Sequence, residues 1–267
     1  MDLPIRAYRH KLIRSGDIIE IYYYEQAIRV GHKRKKRKQK RPMLSVEDVK
    51  SEEEKDQEDF NQAVKSDFSL RRTKANIVRL VNSNPELKVF ITLTFDNSKS
   101  KTGSFTDMRE CNLIFSNFIK RLKRFYPDLL YLAVPEFQGD YYFKTKIKKE
   151  SGGNVHYHLL SNLPYTASSR LEEIWSYGFI KINNIRHVSR VGLYVSKYIA
   201  KELFDGRLSG KKKIFYSRKL KRPETVISAL KVRQFIDALE LPSELLVDKW
   251  YRSEWVGRVS YQLYKNG

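Results

Sequence analysis

The stretch Asn154–Leu160 reads NVHYHLL and places two of the chain's five histidines two positions apart. Successive side chains of a β-strand point to opposite faces, so residues i and i+2 share a face. The pattern therefore predicts a strand with His156 and His158 on one face and Tyr157 on the other. Two imidazoles on one face are either hydrogen-bonded structural histidines or part of a metal site, which needs further ligands.

Strand and helix patterns alternate on both sides of this stretch. Apolar, β-branched runs predict strands at 88–95 (KVFITLTF), 129–138 (LLYLAVPEFQ) and 179–185 (FIKINNI). Apolar side chains at helical spacing predict helices at 71–83, 107–125, 166–178 and 189–203. Strands 129–138 and 154–160 are expected to form an antiparallel hairpin. The predicted class is therefore α+β, with an antiparallel sheet flanked by helices.

Three regions are expected along the chain. Residues 1–66 form an N-terminal segment in which a basic run at 33–41 precedes an acidic run at 46–60. The basic run could bind phosphates, act as a nuclear-import signal, or be a solvated face that pairs with the acidic run. Residues 67–210 carry the strand and helix pattern. Residues 211–267 form a basic C-terminal extension that is expected to pack on them, and both terminal additions are predicted to be mainly helical.

The charge balance favours a polyanionic partner. The 267 residues include 52 Lys and Arg against 31 Asp and Glu, a net charge of +21, which suits nucleic acid or an anionic membrane surface. The single cysteine, Cys111, excludes an internal disulfide and a CxxC zinc site. Because no signal peptide, membrane-length apolar run or P-loop motif is present, we expect a soluble cytoplasmic protein without a nucleotide-driven motor.

Glu136 strengthens the metal interpretation of the histidine pair. It lies in VPEFQ, on the strand that should pair with the histidine strand. One carboxylate and two imidazoles, with positions left open, suit an Mg²⁺ or Mn²⁺ site that admits a phosphate oxygen. Zinc is an alternative, although a hard anionic substrate favours the harder cations. Glu136 could instead be an exposed acid at a strand edge.

A second pattern, YVSKYIAK at 194–201, pairs Tyr194 with Tyr198 and Lys197 with Lys201 at i,i+4 spacing. On a helix each pair shares a face. The simplest interpretation is an amphipathic helix with aromatic core contacts and basic exposed positions. These are also the residue types that phosphoryl transfer to a tyrosine needs. A phenol with a pKa near 10 is a poor nucleophile until a metal polarises the phosphate and a cation lies nearby.

Taken together, these motifs resemble the HUH endonuclease superfamily, and in particular its rolling-circle replication initiators. VHYHLL resembles the HUH motif, YVSKYIAK resembles the tyrosine motif with its YxxK pattern, and FITLTF at 90–95 resembles the first motif. The order of the motifs is also that of the family, and the match spans about residues 70–220. The resemblance implies an antiparallel sheet related to the RNA-recognition-motif topology, with 67–210 as the nicking domain.

The resemblance assigns roles to individual residues. His156 and His158 are implied to be metal ligands and Glu136 the third, with Asp140 and Glu150 as alternatives if the lysine-rich loop shifts the hairpin register. Tyr194 is implied to be the nucleophile. The residues implied to assist it are Lys197, Tyr198 and Lys201, with Tyr198 either a second nucleophile or a packing residue.

The implied reaction nicks single-stranded origin DNA. It leaves a 5′-phosphotyrosine link and a 3′-OH that primes rolling-circle synthesis for a plasmid or phage. Single- and double-stranded origin DNA, a host helicase and a polymerase are the implied partners.

Clusters of basic residues are candidates for DNA contacts, with ordinary solubility charge as the alternative for each. They are Arg71, Arg72, Lys74, Arg79, Lys144, Lys146, Lys148, Lys149, Lys211, Lys212, Lys213, Arg218 and Lys219. As a group they predict binding that falls steeply with salt. Phe215 and Tyr216 interleave with the last of them and could either stack on bases or pack in the core.

Other functions share some of these features. An HUH transposase or relaxase would use the same chemistry, but relaxases usually carry more chain and a third histidine, and the smallest transposases are shorter. A non-catalytic nucleic-acid-binding module would keep the sheet and the basic surface, form no covalent adduct and be indifferent to divalent metal. A membrane-surface protein would bind liposomes through residues 31–41 and would leave both motifs unexplained.

Overall fold

The computed structural model describes residues 6–31, 69, 71–139, 153–185, 187–188, 191–192, 194–196, 206–208, 211–238 and 244–266. It divides the chain into two compact units, one of residues 72–222 and one of residues 1–71 with 223–267. The basic run at 33–41 and the acidic run at 46–60 lie outside the described residues.

Strands and helices alternate through the described residues. The strands are β1 (Arg6–Ser15), β2 (Ile18–Val30), β3 (Val89–Thr94), β4 (Tyr131–Phe137), β5 (Val155–Ser161), β6 (Ile180–Asn184), β7 (Phe215–Tyr216), β8 (Glu224–Val226), β9 (Glu244–Ser253) and β10 (Gly257–Lys265). The helices are α1 (71–82), α2 (Met108–Phe125), α3 (Ser168–Trp175), α4 (191–192 and 194–196) and α5 (Ala229–Asp237). The α+β class is confirmed.

The unit of residues 72–222 is built on one antiparallel sheet with the strand order β6-β3-β5-β4-β7. The histidine strand β5 lies near its middle and pairs with β3 on one side and β4 on the other. All four pairings are antiparallel, as the strand patterns predict. A central strand has both edges hydrogen-bonded, so the histidines lie on a rigid part of the fold.

One face of this sheet packs against α2 and α3. Its inward side chains and the facing helix residues are fully buried; the largest are Trp175, Tyr157, Phe115, Phe118, Ile91, Leu93 and Leu122. Each such side chain stabilises the fold by about 1.5–3 kcal/mol. Tyr157 stacks on Phe115 with ring centroids 4.3 Å apart and donates a hydrogen bond to Asn112 Oδ1 at 2.7 Å. These contacts hold β5 in register from its core side.

Helix α2 begins at a side-chain cap and ends before a proline. Asp107 accepts a hydrogen bond from the Arg109 backbone N at 2.9 Å, so Asp107 caps the helix rather than Thr106, which the sequence also offers. Such a cap contributes about 1 kcal/mol. The outward face carries Lys120 and Lys123, and no helix in the described ranges is long and apolar enough to cross a membrane.

The other face of the sheet carries the histidines. Phe90, Leu132 and Leu160 are buried there. Helix α4 lies against α1 at Gly192, where an added Cβ would overlap the Asn82 side chain and lie 3.1 Å from the carbonyl oxygen of Val78. The absence of a side chain at position 192 therefore allows the two helices to approach closely.

The unit of residues 1–71 and 223–267 contains a second antiparallel sheet, with the order β8-β1-β2-β10-β9. The prediction that both terminal additions are mainly helical is therefore wrong. The N-terminal hairpin β1–β2 pairs with β8 and β10 from the C-terminal region, and such distant pairing leaves no local signal. The predicted helix from Glu224 is β8 followed by α5, which Ser228 caps.

Candidate active site

The register of three strands brings Glu136 and both histidines to one face. Glu136 lies directly opposite His156 across the β4–β5 pair. His158 lies opposite Val134 on one side and Thr92 on the other. Cross-strand partners are about 5 Å apart and their side chains share a face. The carboxylate and the two imidazoles therefore project from neighbouring positions, which is what a shared metal site requires.

Both ring nitrogens of His158 have partners. Its Nε2 contacts Glu136 Oε2 directly, and its Nδ1 lies 3.1 Å from Thr92 Oγ1. The ring also stacks on Phe90, with centroids 5.5 Å apart and an interplanar angle of 10°. Because the side chain is 9% exposed, these contacts fix the ring plane and direct Nε2 towards the carboxylate.

These residues offer a donor set that suits a divalent cation. The Nε2 atom of His156 is buried on the same face, and a threonine hydroxyl holds Nδ1 of His158, an arrangement typical of histidines that bind metal through Nε2. Within the described residues, no three such side chains are gathered closely enough to hold a cation as they stand. The reason is the direct Glu136–His158 contact, which a bound cation would have to replace. Asp140 and Glu150, the alternative ligands, lie outside the described residues.

Tyr194 lies over the same face. Its ring makes an edge contact with Phe90, with centroids 6.3 Å apart and nearly perpendicular planes. Phe90 therefore connects Tyr194 to His158 through two ring contacts. The close approach of α4 to α1 at Gly192, two residues earlier, sets the position of the tyrosine. Lys197, Tyr198 and Lys201 lie outside the described residues.

Tyr157, the residue between the two histidines, is excluded as a nucleophile. It points into the core and is fully buried, and this burial raises the pKa of its phenol. The strand alternation thus gives the two histidines and the tyrosine between them separate roles.

The predicted DNA contacts fall into exposed, partly exposed and undescribed sets. The exposed residues are Arg71, Arg72, Lys74, Lys211, Lys212, Arg218 and Lys219, and the partly exposed ones are Arg79 and Lys213. Lys144, Lys146, Lys148 and Lys149 lie outside the described residues. Phe215 is 5% exposed and belongs to the core, whereas Tyr216 is exposed and has the guanidinium of Arg222 4.8 Å from its ring centroid.

Sequence reasoning missed the contribution of β6, the edge strand on the far side of β3. Lys181 lies opposite Thr92 in the cross-strand row that contains His158, and it is exposed. Phe179 precedes β6, its carbonyl accepts from Thr94 N at 2.9 Å, and its side chain is 66% exposed. The alternation of FIKINNI could have placed both on the site face, but only with the register known.

Comparison with known proteins supplies the family. Residues 88–203 match the family of the replication-associated protein ORF2. The matched segment runs from β3 through the histidine strand to beyond α4, so it contains Glu136, both histidines and Tyr194. The match confirms the resemblance to a rolling-circle replication initiator and supports a role in DNA replication. No curated protein and no solved structure matches the chain significantly.

Proposed function

We propose that this protein initiates rolling-circle replication by nicking single-stranded origin DNA and linking itself to the 5′ end of the nick. The observation that carries the proposal is the assembly of His156, His158, Glu136 and Tyr194 around Phe90 on one sheet face. A purely structural sheet would not need two imidazoles and a carboxylate at adjacent positions beneath a tyrosine.

In this proposal the chain's own groups share the work. His156, His158 and Glu136 hold Mg²⁺ or Mn²⁺, which when bound withdraws charge from the scissile phosphate. The Tyr194 oxygen attacks phosphorus, a new O–P bond forms, and the bond to the 3′ oxygen breaks. The phenol loses a proton and the departing 3′ oxygen gains one, leaving a 3′-OH primer. The link conserves the phosphodiester bond, so a second transesterification can reseal the strand without ATP.

Basic and aromatic residues beside the site would guide the strand. Lys181 suits a backbone phosphate, and the exposed ring of Phe179 suits a stacked base. Arg72 and Lys74 on α1 add positive charge to the same unit. A 3′-OH primer has to be extended on an unwound template, so a host helicase and a polymerase belong to the proposal as partners.

The test is a covalent-adduct assay with labelled single-stranded origin DNA and Mn²⁺ on a denaturing gel. Tyr194→Phe should abolish the adduct, and Tyr165→Phe, at a fully solvated ring in the same unit, should not. EDTA should also abolish it. An adduct that persists in Tyr194→Phe, Tyr198→Phe and the double variant would refute the tyrosine assignment.

A melting experiment separates the nickase from a non-catalytic DNA-binding module. Mn²⁺ should raise the melting temperature of the wild-type protein and not that of His158→Ala. If Mn²⁺ leaves the wild-type melting temperature unchanged and no adduct forms, the non-catalytic module becomes the better description.

A further inference from the structure

The sheet of the unit that joins both chain ends is covered by α5 over only part of one face. Val232 and Phe235 of α5 pack on Leu12, Ile19 and Ile21. Strand alternation places the remaining rows of that face beyond this cluster, towards the β9–β10 turn. This leaves a sheet surface that has no role in the nicking site.

A cross-strand row of aromatic residues crosses the uncovered part of the face. His10, Tyr23, Ser260 and Trp250 are successive partners on β1, β2, β10 and β9. Tyr23 is 43% exposed and Trp250 is 61% exposed. Ser260 separates them, so the two rings rise from strands about 10 Å apart with only a small side chain between them. A flat ring can enter such a gap and stack on an aromatic wall.

The adjoining row places two arginines directly opposite each other. Arg258 pairs with Arg252 across β10 and β9, and both are exposed. Like charges at directly opposed positions destabilise a sheet, and an anion lying over the pair would relieve the repulsion. The guanidinium of Arg258 lies 4.8 Å from the ring centroid of Trp250, so the cationic and aromatic groups form one surface.

The acidic groups nearby are bonded elsewhere. Glu25 accepts a hydrogen bond from the backbone N of Arg258 at 2.6 Å. Asp248 accepts one from the side-chain amide of Gln262 at 3.3 Å. Both carboxylates therefore serve the pairing of neighbouring strands. The surface made of His10, Tyr23, Ser260, Trp250, Arg252 and Arg258 is called the aromatic–arginine face below.

From this arrangement we infer that the aromatic–arginine face is a second binding site for single-stranded DNA, outside the nicking unit. Exposed rings bind unstacked bases and arginines bind the backbone between them. A duplex would present neither free base faces nor a fit to the gap between Tyr23 and Trp250. The inference goes beyond the proposed nicking function and does not depend on Tyr194 or on a metal.

The test uses oligo(dT) of about 12 nucleotides, which covers one typical single-strand site and lacks an origin sequence. Trp250→Ala should weaken binding about tenfold or more, because one base–aromatic stack accounts for that much affinity. Arg252→Gln with Arg258→Gln should reduce the slope of log Kd against log salt concentration by about 1.4, or 0.7 for each charge lost. Lys231→Gln with Arg233→Gln, at exposed positions on α5, is the control of equal charge change.

Fluorescence gives a direct readout. The chain has three tryptophans, of which Trp175 is fully buried and Trp250 and Trp255 are exposed. In a Trp255→Phe background, oligo(dT) should quench Trp250. Oligo(U) and a duplex of the same length should quench it less.

The outcomes separate this site from the nicking function. Normal adduct formation on a saturating origin oligonucleotide, with weakened oligo(dT) binding, supports the inference and shows that the two sites are separable. Unchanged oligo(dT) affinity in the Trp250 and double-arginine variants, without quenching of Trp250, would overturn it and leave this face to a protein partner. A loss of adduct in Tyr194→Phe bears on the nicking proposal alone.

Discussion

Replacing Thr92 by valine is expected to weaken metal binding at the candidate site while the fold survives. Valine has nearly the shape of threonine and suits a strand, but it removes the hydroxyl that lies 3.1 Å from Nδ1 of His158. His158 would then lose the partner that fixes its ring orientation and tautomer, which leaves Nε2 less well directed.

The magnitude follows from the geometry. Loss of the hydrogen-bond partner that orients a metal-binding histidine lowers metal affinity or activity about 10–100-fold, or about 1.4–2.8 kcal/mol. The same change leaves a nearly buried ring nitrogen without its hydrogen bond, which costs about 1–3 kcal/mol of folding stability. The β-branched valine offsets a part of that cost. The variant should therefore fold, melt a few degrees lower and need more Mn²⁺.

The assay is adduct formation across a Mn²⁺ titration, with calorimetric measurement of Mn²⁺ binding beside it. The half-saturating Mn²⁺ concentration should rise about 10–100-fold, and saturating metal should restore much of the rate. Thr225→Val, an exposed position on β8, is the matched control. A Thr92→Val midpoint within twofold of the wild-type value would refute the idea that Thr92 orients a metal-binding histidine.

Three further outcomes are expected. Cys111 is fully buried and burial raises the pKa of its thiol to about 12, so its reaction with a disulfide reagent at pH 8 should be roughly a thousandfold slower in the folded protein than in denaturant; a rate near the denatured one would contradict this burial. Lys181→Gln should lower the salt slope of single-strand binding by about 0.7, measured against Lys231→Gln, and equal slopes would remove Lys181 from the DNA path. Gly192→Ala should lower stability by about 1–3 kcal/mol in chemical denaturation, and adding Asn82→Ala should recover part of the loss; a wild-type midpoint in the single variant would contradict the close helix contact.

The central sheet was predictable because its strands carry local patterns. The runs at 88–95, 129–138, 154–160 and 179–185 alternate or are continuously apolar, and each contains a strand of the structure. A hairpin between neighbouring strands requires no long-range information. The pairing of β2 with β10 joins residues more than 230 positions apart, such as Tyr22 and Tyr261, and no local pattern specifies such a partner.

The candidate site was predictable only in part, for a related reason. The identity of Glu136, His156 and His158 followed from residue type and strand alternation, and that of Tyr194 from a helical spacing. Thr92 could not be found in this way, because a threonine in a strand pattern is ordinary and its meaning depends on the register of β3 against β5. The same holds for Lys181, whose side of the sheet is fixed only by its pairing with Thr92.

The precision of the candidate site comes from the core side of the same strand. In β5 a shift of one residue would turn the histidines into the core and Tyr157 to the surface. Tyr157 opposes that shift through its stack on Phe115 and its hydrogen bond to Asn112, both of which need the phenol on the core face. The tyrosine of HYH therefore acts as the anchor that holds His156 and His158 on the face they share with Glu136. The motif is a structural unit of three residues, in which the middle residue fixes the position of the outer two.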